Sequence, residues 1–159
     1  IIKNPIKIDR VFLKIYGYGS KKDYEIVKQI VHKLSLEKQV ELNEYSENNF
    51  DLIRNADLVV VPSQSHESFG LTIIESMALS VPVVVTDVGG MPEVLANSNA
   101  GFISPKDDPS KFAEKIKIIL KDPILREKLK KNGRITYEKK YTAKIMSSQY
   151  FQLLQDSNI

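Results

Sequence analysis

The chain has 159 residues, 42% hydrophobic and 27% charged, with a formal net charge of +3; that size and balance suit one globular domain and exclude a disordered tail. With no cysteine there is no disulfide framework, no thiolate nucleophile and no cysteine-based zinc site. Two histidines, His32 and His66, are too few for a three-histidine metal centre, and HES at 66–68 lacks the second histidine of a HExxH zinc signature.

In chain order, RVFLKIYG (10–17) is apolar, β-branched and closed by a glycine, which predicts a strand. Residues 21–36 carry Tyr24, Val27, Ile30, Val31 and Leu34 at helical spacing. QVELNEY (39–45) reads as a short strand and NNFDLIRNA as a helix of about two turns. DLVVVPS (57–63) and VPVVVTD (81–87) are β-branched runs of the kind buried on both faces, and FGLTIIESMALS between them has helical length and composition. GGMPEVLAN predicts a glycine turn into a helix with Pro92 in its first turn. GFIS (101–104) reads as a last short strand. DDPSKFAEKIKIIL follows as a helix, and two more are expected over 122–133 and 142–156.

Strands and helices alternating at least four times predict an α/β fold, a doubly wound, Rossmann-like parallel sheet with extra C-terminal helices. Ligands of such sheets bind beyond the carboxyl ends of the strands. The loops Gly17–Lys22, Pro62–Gly70 and Asp87–Pro92 lie there and carry the glycines and polar residues. No run approaches the ~20 apolar residues of a membrane span. IIKNPIKIDR, with Asn, Pro and Asp, does not read as a secretory signal, so a cytoplasmic protein is expected. Between Lys121 and Lys144 nine Lys or Arg face three Asp or Glu. That is either a solvated helix face or a contact for an anionic membrane surface or an acidic partner. No nucleic-acid partner is expected.

GYGSKK (17–22) begins like a dinucleotide fingerprint, but Lys22 stands where the third glycine belongs, and a tight strand-to-helix turn explains the pair equally. No glycine directly precedes a lysine and Ser or Thr, which removes the P-loop. Ser63 and Ser65 beside His66 lack the GxSxG elbow of a hydrolase.

More informative is Glu75, the one charged side chain between Ser68 and Thr86, with Glu67 eight positions before it. A carboxylate in such a run needs a partner or a purpose. ESFGL places Gly70 at the mouth of a helix, where a Cβ would obstruct a ligand and where free N–H groups and the dipole favour a phosphate. Glu75 lies about one and a half turns further in, on the face of Leu71 and Thr72, suited to accept hydrogen bonds from two hydroxyls such as those of a ribose. The structural alternative makes Glu67 an exposed loop acid and Glu75 a core ion-pair partner. A glycosidase pair would need the carboxyls about 5 to 9.5 Å apart, a separation the sequence leaves open.

PSQSHESFGLTIIESMALSVPVVVTDVGGMPEVL resembles the donor-binding signature of retaining family-4 glycosyltransferases with the GT-B fold. The E-x7-E element is Glu67…Glu75, followed by VPVVVTD and the GGxPE turn Gly89–Glu93. The order of elements also matches, over essentially the whole chain. The resemblance implies that residues 1–159 are one donor-nucleotide domain, the C-terminal half of a GT-B enzyme. It would lack the N-terminal acceptor domain and the first-strand region with its basic diphosphate clamp, and would be inactive alone. The implied activity moves a sugar from a nucleotide-sugar, UDP- or GDP-linked, to a glycan, glycolipid or other acceptor with retention of anomeric configuration. It also implies no cofactor and no metal.

The resemblance further implies that Glu67, the catalytic residue of the set, contacts hydroxyls of the donor sugar. Phe69, Gly70, Leu71 and Thr72 would hold sugar and phosphate, and Glu75 the ribose. Gly17, Tyr45 and Ser63 are candidate base or loop contacts. Two positions depart from the family pattern. Ser80 replaces the glycine before VP, a helix-ending variant, and Glu44 replaces the glycine that closes the second strand, next to the base-contacting loop. A lipid-linked acceptor would place the protein at the inner face of a membrane. Competing functions are a non-catalytic sugar-nucleotide module, a dehydrogenase-type dinucleotide domain and a sugar-nucleotide epimerase.

Overall fold

The computed structural model describes residues 11–156. The stretch 1–10, with Arg10 of the expected first strand, lies outside the described residues. Residues 11–49 and 50–156 form two compact units.

In the first unit β1 (Leu13–Tyr16) pairs in parallel with β2 (Val40–Asn43), Leu13 opposite Val40 and Tyr16 opposite Asn43. The crossover is α1 (Lys21–Lys33), started by a full capping box. The Asp23 N–H donates to Ser20 Oγ at 3.2 Å and the Ser20 N–H returns to Asp23 Oδ2 at 3.1 Å. The Ser20 hydroxyl, donating to Asp23 Oδ2 at 2.6 Å, and then the Ser20 N–H hold the Asp23 carboxyl below its usual range. The helix stops three residues before the predicted end because Ser35 turns left-handed at φ 54°. The Ser35 N–H then reaches His32 O and the Leu36 N–H reaches Val31 O, the two bonds of a Schellman motif.

The second unit begins at α2 (Asn49–Arg54) and is built on the parallel sheet β3 (Val59–Val61), β4 (Val83–Thr86) and β5 (Gly101–Ser104), in that order. Alternation along β4 explains why its valine run is apolar throughout. Val83 and Val85 pack with Ile73 and Met77 of α3 (Leu71–Ala78) and with Met91 and Val94 of α4 (Met91–Leu95). Val84 turns the other way, onto Ile119 of α5 (Pro109–Lys121) and Leu129 of α6 (Pro123–Lys140). Both faces of the sheet are therefore covered, which makes the fold α/β with parallel sheets, as the alternation of elements predicts.

The sequence predicts a helix ending near Gly133, yet α6 continues to Lys140. Gly133 is buried within it, and a Cβ there would stand 3.2 Å from Ala100 Cβ and 3.3 Å from Met77 Cγ. The glycine lets α6 approach rather than ending it. The next residue, Arg134, donates to the Ala78 carbonyl at the end of α3 and to Glu138 Oε1, a cation where the helix dipole favours one. In α7 (Ala143–Asp156) no residue is buried; Met146, Tyr150, Phe151, Leu153 and Leu154 are exposed.

Candidate functional site

The loop from β3 to α3 carries the first group of candidates. Gly70 stands at φ 86°, a left-handed conformation that favours glycine. A Cβ there would meet Ile73 Cδ1 at 2.9 Å and Met91 Cγ at 3.3 Å. The missing side chain makes room for the protein's own core, and Gly70 itself is buried. Glu67 Oε1 accepts the Gly70 N–H at 3.1 Å, and the carbonyl of Glu67 accepts the Gly90 N–H at 3.1 Å. The Glu67 loop is thus strapped to α3 on one side and to the glycine turn before α4 on the other. Gly89, at φ 55°, lies so close that a Cβ would fall 1.8 Å from Glu67 O. The two glycines of GGxPE are there to receive the Glu67–Ser68 backbone.

With Gly70 engaged by Glu67, the N–H groups of Phe69, Leu71 and Thr72 have no hydrogen-bond acceptor among the described residues. They sit at the positive end of α3, where unpaired donors and the dipole together attract an anion. Phe69 is 47% and Leu71 65% exposed, and Thr72 is exposed as well. Glu75 is half-buried on the same side of α3, away from the core positions Ile73, Ser76 and Met77. Among the described residues no hydrogen bond or ion pair engages its carboxylate. The core ion pair offered as the structural alternative is therefore not formed among the described residues. A half-buried carboxylate with acceptor capacity to spare suits a donor from outside the protein.

Ser63 takes part through its backbone, its carbonyl accepting the hydroxyl of buried Thr86 at 2.6 Å. This bond ties the end of β4 to the loop after β3. Gln64, which the sequence does not single out, donates to Pro62 O at 2.9 Å and accepts the Asp107 N–H at 3.1 Å. Asp87 Oδ1 accepts the Lys106 N–H at 2.6 Å. These links brace the carboxyl edge of the sheet around a cavity of about 280 Å³ lined by Pro62, Gln64, Thr86, Asp107 and Phe112. Only a polar residue in a loop marks Gln64 in the sequence; its partner is 43 positions away. No group of three His, Asp or Glu side chains that could hold a metal occurs among the described residues.

Gly17 and Tyr45 belong to the first unit, in the loops leaving β1 and β2. Tyr45 stacks on Tyr18, with ring centroids 4.8 Å apart and planes inclined by 15°. Tyr18 was not among the sequence-based candidates.

Residues 2–136 match the family Glycosyl transferases group 1. The chain is 28% identical over 149 residues to the N-acetyl-alpha-D-glucosaminyl L-malate synthase of Bacillus anthracis, covering 94% of this chain and 39% of that enzyme. It is 37% identical over 107 residues to the capsular polysaccharide biosynthesis glycosyltransferase CapM of Staphylococcus aureus, covering 65% of this chain and 28% of CapM. Among solved structures, Anabaena HepE in complex with UDP superposes with a TM-score of 0.85 at 23% identity, over 92% of this chain and 41% of HepE. The sucrose-phosphate synthase of Thermosynechococcus elongatus gives 0.82 at 26% identity, over 95% and 39%. The chain thus spans 28–41% of the length of these proteins. From the family match and the shared GT-B half-fold, this chain belongs to the group 1 glycosyl transferases.

Proposed function

We propose that the chain provides the nucleotide-sugar site of a glycosyltransferase that moves a sugar to an acceptor with retention of configuration. The observation that carries this is Glu75: a half-buried carboxylate without a partner among the described residues, on a helix whose N–H groups at Leu71 and Thr72 have no acceptor among them either. In the proposed complex the diphosphate lies against the amides of Phe69, Gly70, Leu71 and Thr72, and Glu75 accepts from the ribose hydroxyls. Glu67 contacts hydroxyls of the donor sugar with the oxygen that Gly70 does not occupy, or with both once the ligand takes over that amide. The helix N-terminus stabilises the charge that develops on the leaving diphosphate, a role that needs no metal. No covalent nucleophile is assigned.

Support for a nucleoside diphosphate comes from HepE, which was solved with UDP; UDP- and GDP-linked donors are the proposed class. CapM, named for capsular polysaccharide biosynthesis, supports a surface glycan or lipid-linked acceptor. That acceptor is assigned to the part of the enzyme that the relatives possess beyond the span matched here. The cationic stretch of α6, with Lys128, Lys131, Lys139 and Lys140, is proposed to touch an anionic membrane surface from the cytoplasmic side. Flotation with anionic liposomes tests this, and failure to float would remove it.

Saturation-transfer NMR of the chain with UDP, GDP, ADP and NAD tests the donor site. One nucleoside diphosphate is expected to bind, and Glu75→Ala is expected to abolish the ribose signal while leaving the protein's amide spectrum folded. Binding of NAD in preference to the diphosphates, or a ribose signal that survives Glu75→Ala, would refute the assignment.

A further inference from the structure

The carboxylate of Glu67 already occupies part of the site it serves. Its Oε1 accepts the Gly70 N–H at 3.1 Å, so one amide at the start of α3 is taken by an anion that belongs to the chain itself. A charge-assisted bond of this kind is about twice as strong as a neutral one, and the positive end of the helix strengthens the hold. The amides left without an acceptor among the described residues are those of Phe69, Leu71 and Thr72.

The main chain under Glu67 is not free to clear the way. Its carbonyl accepts the Gly90 N–H at 3.1 Å. A Cβ on Gly89 would fall 1.8 Å from that carbonyl oxygen, and one on Gly90 would fall 2.5 Å from Ser68 O. The Glu67–Ser68 backbone is therefore seated on the glycine turn before α4, and only the side chain can swing. Gly70 is equally fixed, left-handed at φ 86° and buried against Ile73 and Met91. A ligand that takes the Gly70 N–H must displace the carboxylate by side-chain rotation alone.

Which ligand can do so follows from donor and acceptor chemistry. A diphosphate oxygen only accepts hydrogen bonds, so on taking the amide it leaves Glu67 without a donor and sets two anions side by side. A bare nucleoside diphosphate offers nothing in return, its ribose hydroxyls being assigned to Glu75. A sugar carried on that diphosphate does, because its hydroxyls donate to the displaced carboxylate. We infer that Glu67 makes the site discriminate between a nucleotide-sugar and the bare nucleoside diphosphate. The carboxylate yields Gly70 to a sugar-bearing donor and reclaims it once the sugar has been transferred, which favours release of the diphosphate. This rests on the donor function proposed above and adds to it a specificity-determining role for Glu67.

UDP, GDP, UDP-glucose and GDP-mannose would be titrated into the wild-type chain, Glu67→Ala, Glu67→Gln and Glu75→Ala, with the amide spectrum of the protein reporting both binding and folding. Glu67→Ala is expected to bind the bare diphosphates roughly two- to fivefold more tightly than the wild type, since the competing anion is gone. Glu67→Gln keeps an acceptor oxygen for Gly70 and loses the charge. It should bind them with intermediate affinity, and it separates the effect of charge from any effect on the fold. A nucleotide-sugar that binds the wild type more tightly than its own diphosphate should lose that advantage in Glu67→Ala.

Bare diphosphates that bind both Glu67 variants no more tightly than the wild type, while Glu75→Ala abolishes binding, would overturn the discrimination and leave the donor site standing. A sugar advantage undiminished in Glu67→Ala would overturn it as well. No binding of any of these ligands to the wild type or to either Glu67 variant would overturn the donor function together with it.

Discussion

Gly89→Ala is expected to destabilise the unit built on β3–β5, through the loop that carries Glu67. At φ 55° an L-residue is strained, a cost of about 1–2 kcal/mol. The new Cβ would fall 1.8 Å from Glu67 O, so the Glu67–Ser68 backbone must retreat. That retreat breaks the bond from the Gly90 N–H to Glu67 O, worth about 1 kcal/mol. The sum is about 2–3 kcal/mol, and in a chain of this size it lowers the melting temperature by about 4–12 °C. Thermal melts followed by circular dichroism would compare wild type, Gly89→Ala and Gly17→Ala. The last is a control, because its Cβ enters open space and its φ is not positive. Gly17→Ala should melt with the wild type. If Gly89→Ala does so as well, the glycine turn is not what holds the Glu67 loop.

Ser80→Gly is expected to stabilise the chain by about 0.5–1 kcal/mol, read as a higher urea midpoint, because Ser80 sits at φ 57° where glycine is unstrained. Thr86→Val preserves shape but leaves Ser63 O without its donor, so chemical denaturation should show a loss of about 1–3 kcal/mol. The Asp23 carboxyl is held below its ordinary value by the Ser20 hydroxyl and backbone. Its contribution is therefore complete above the unfolded carboxylate pKa, and disappears as pH falls through the lowered folded value. Asp23→Asn should accordingly narrow the difference in melting temperature between neutral and acidic pH.

Much of the fold is legible from local pattern. Every described strand lies inside a run read as a strand, because β-branched residues between turn signals have few alternatives. Ser80 likewise ends α3 as its place before Val81–Pro82 predicts: the Ser80 N–H reaches Met77 O and the Val81 N–H reaches Ser76 O, completing a Schellman motif. Gly133 misleads, since in isolation a glycine in a helical pattern reads as a stop. Its role depends on Met77 and Ala100, far away in the chain and adjacent only after folding.

The candidate site divides along the same line. The sequence by itself determines that an acid lies inside an apolar helix, that another precedes it by eight residues, and that glycines flank the turn beyond β4. These are statements about types and spacing along one chain, and helical periodicity turns them into a shared face. Tertiary structure alone decided that Glu75 has no partner among the described residues, that the bare Gly70 leaves room for Ile73 and Met91, and that Gly89 and Gly90 cradle the Glu67–Ser68 backbone. It alone also brought Tyr18 against Tyr45 across 27 positions, through parallel pairing of β1 with β2. Spacing constrains direction only within a turn or two of a helix or along one strand. Which atoms meet across longer separations is set by packing, which only the folded chain defines.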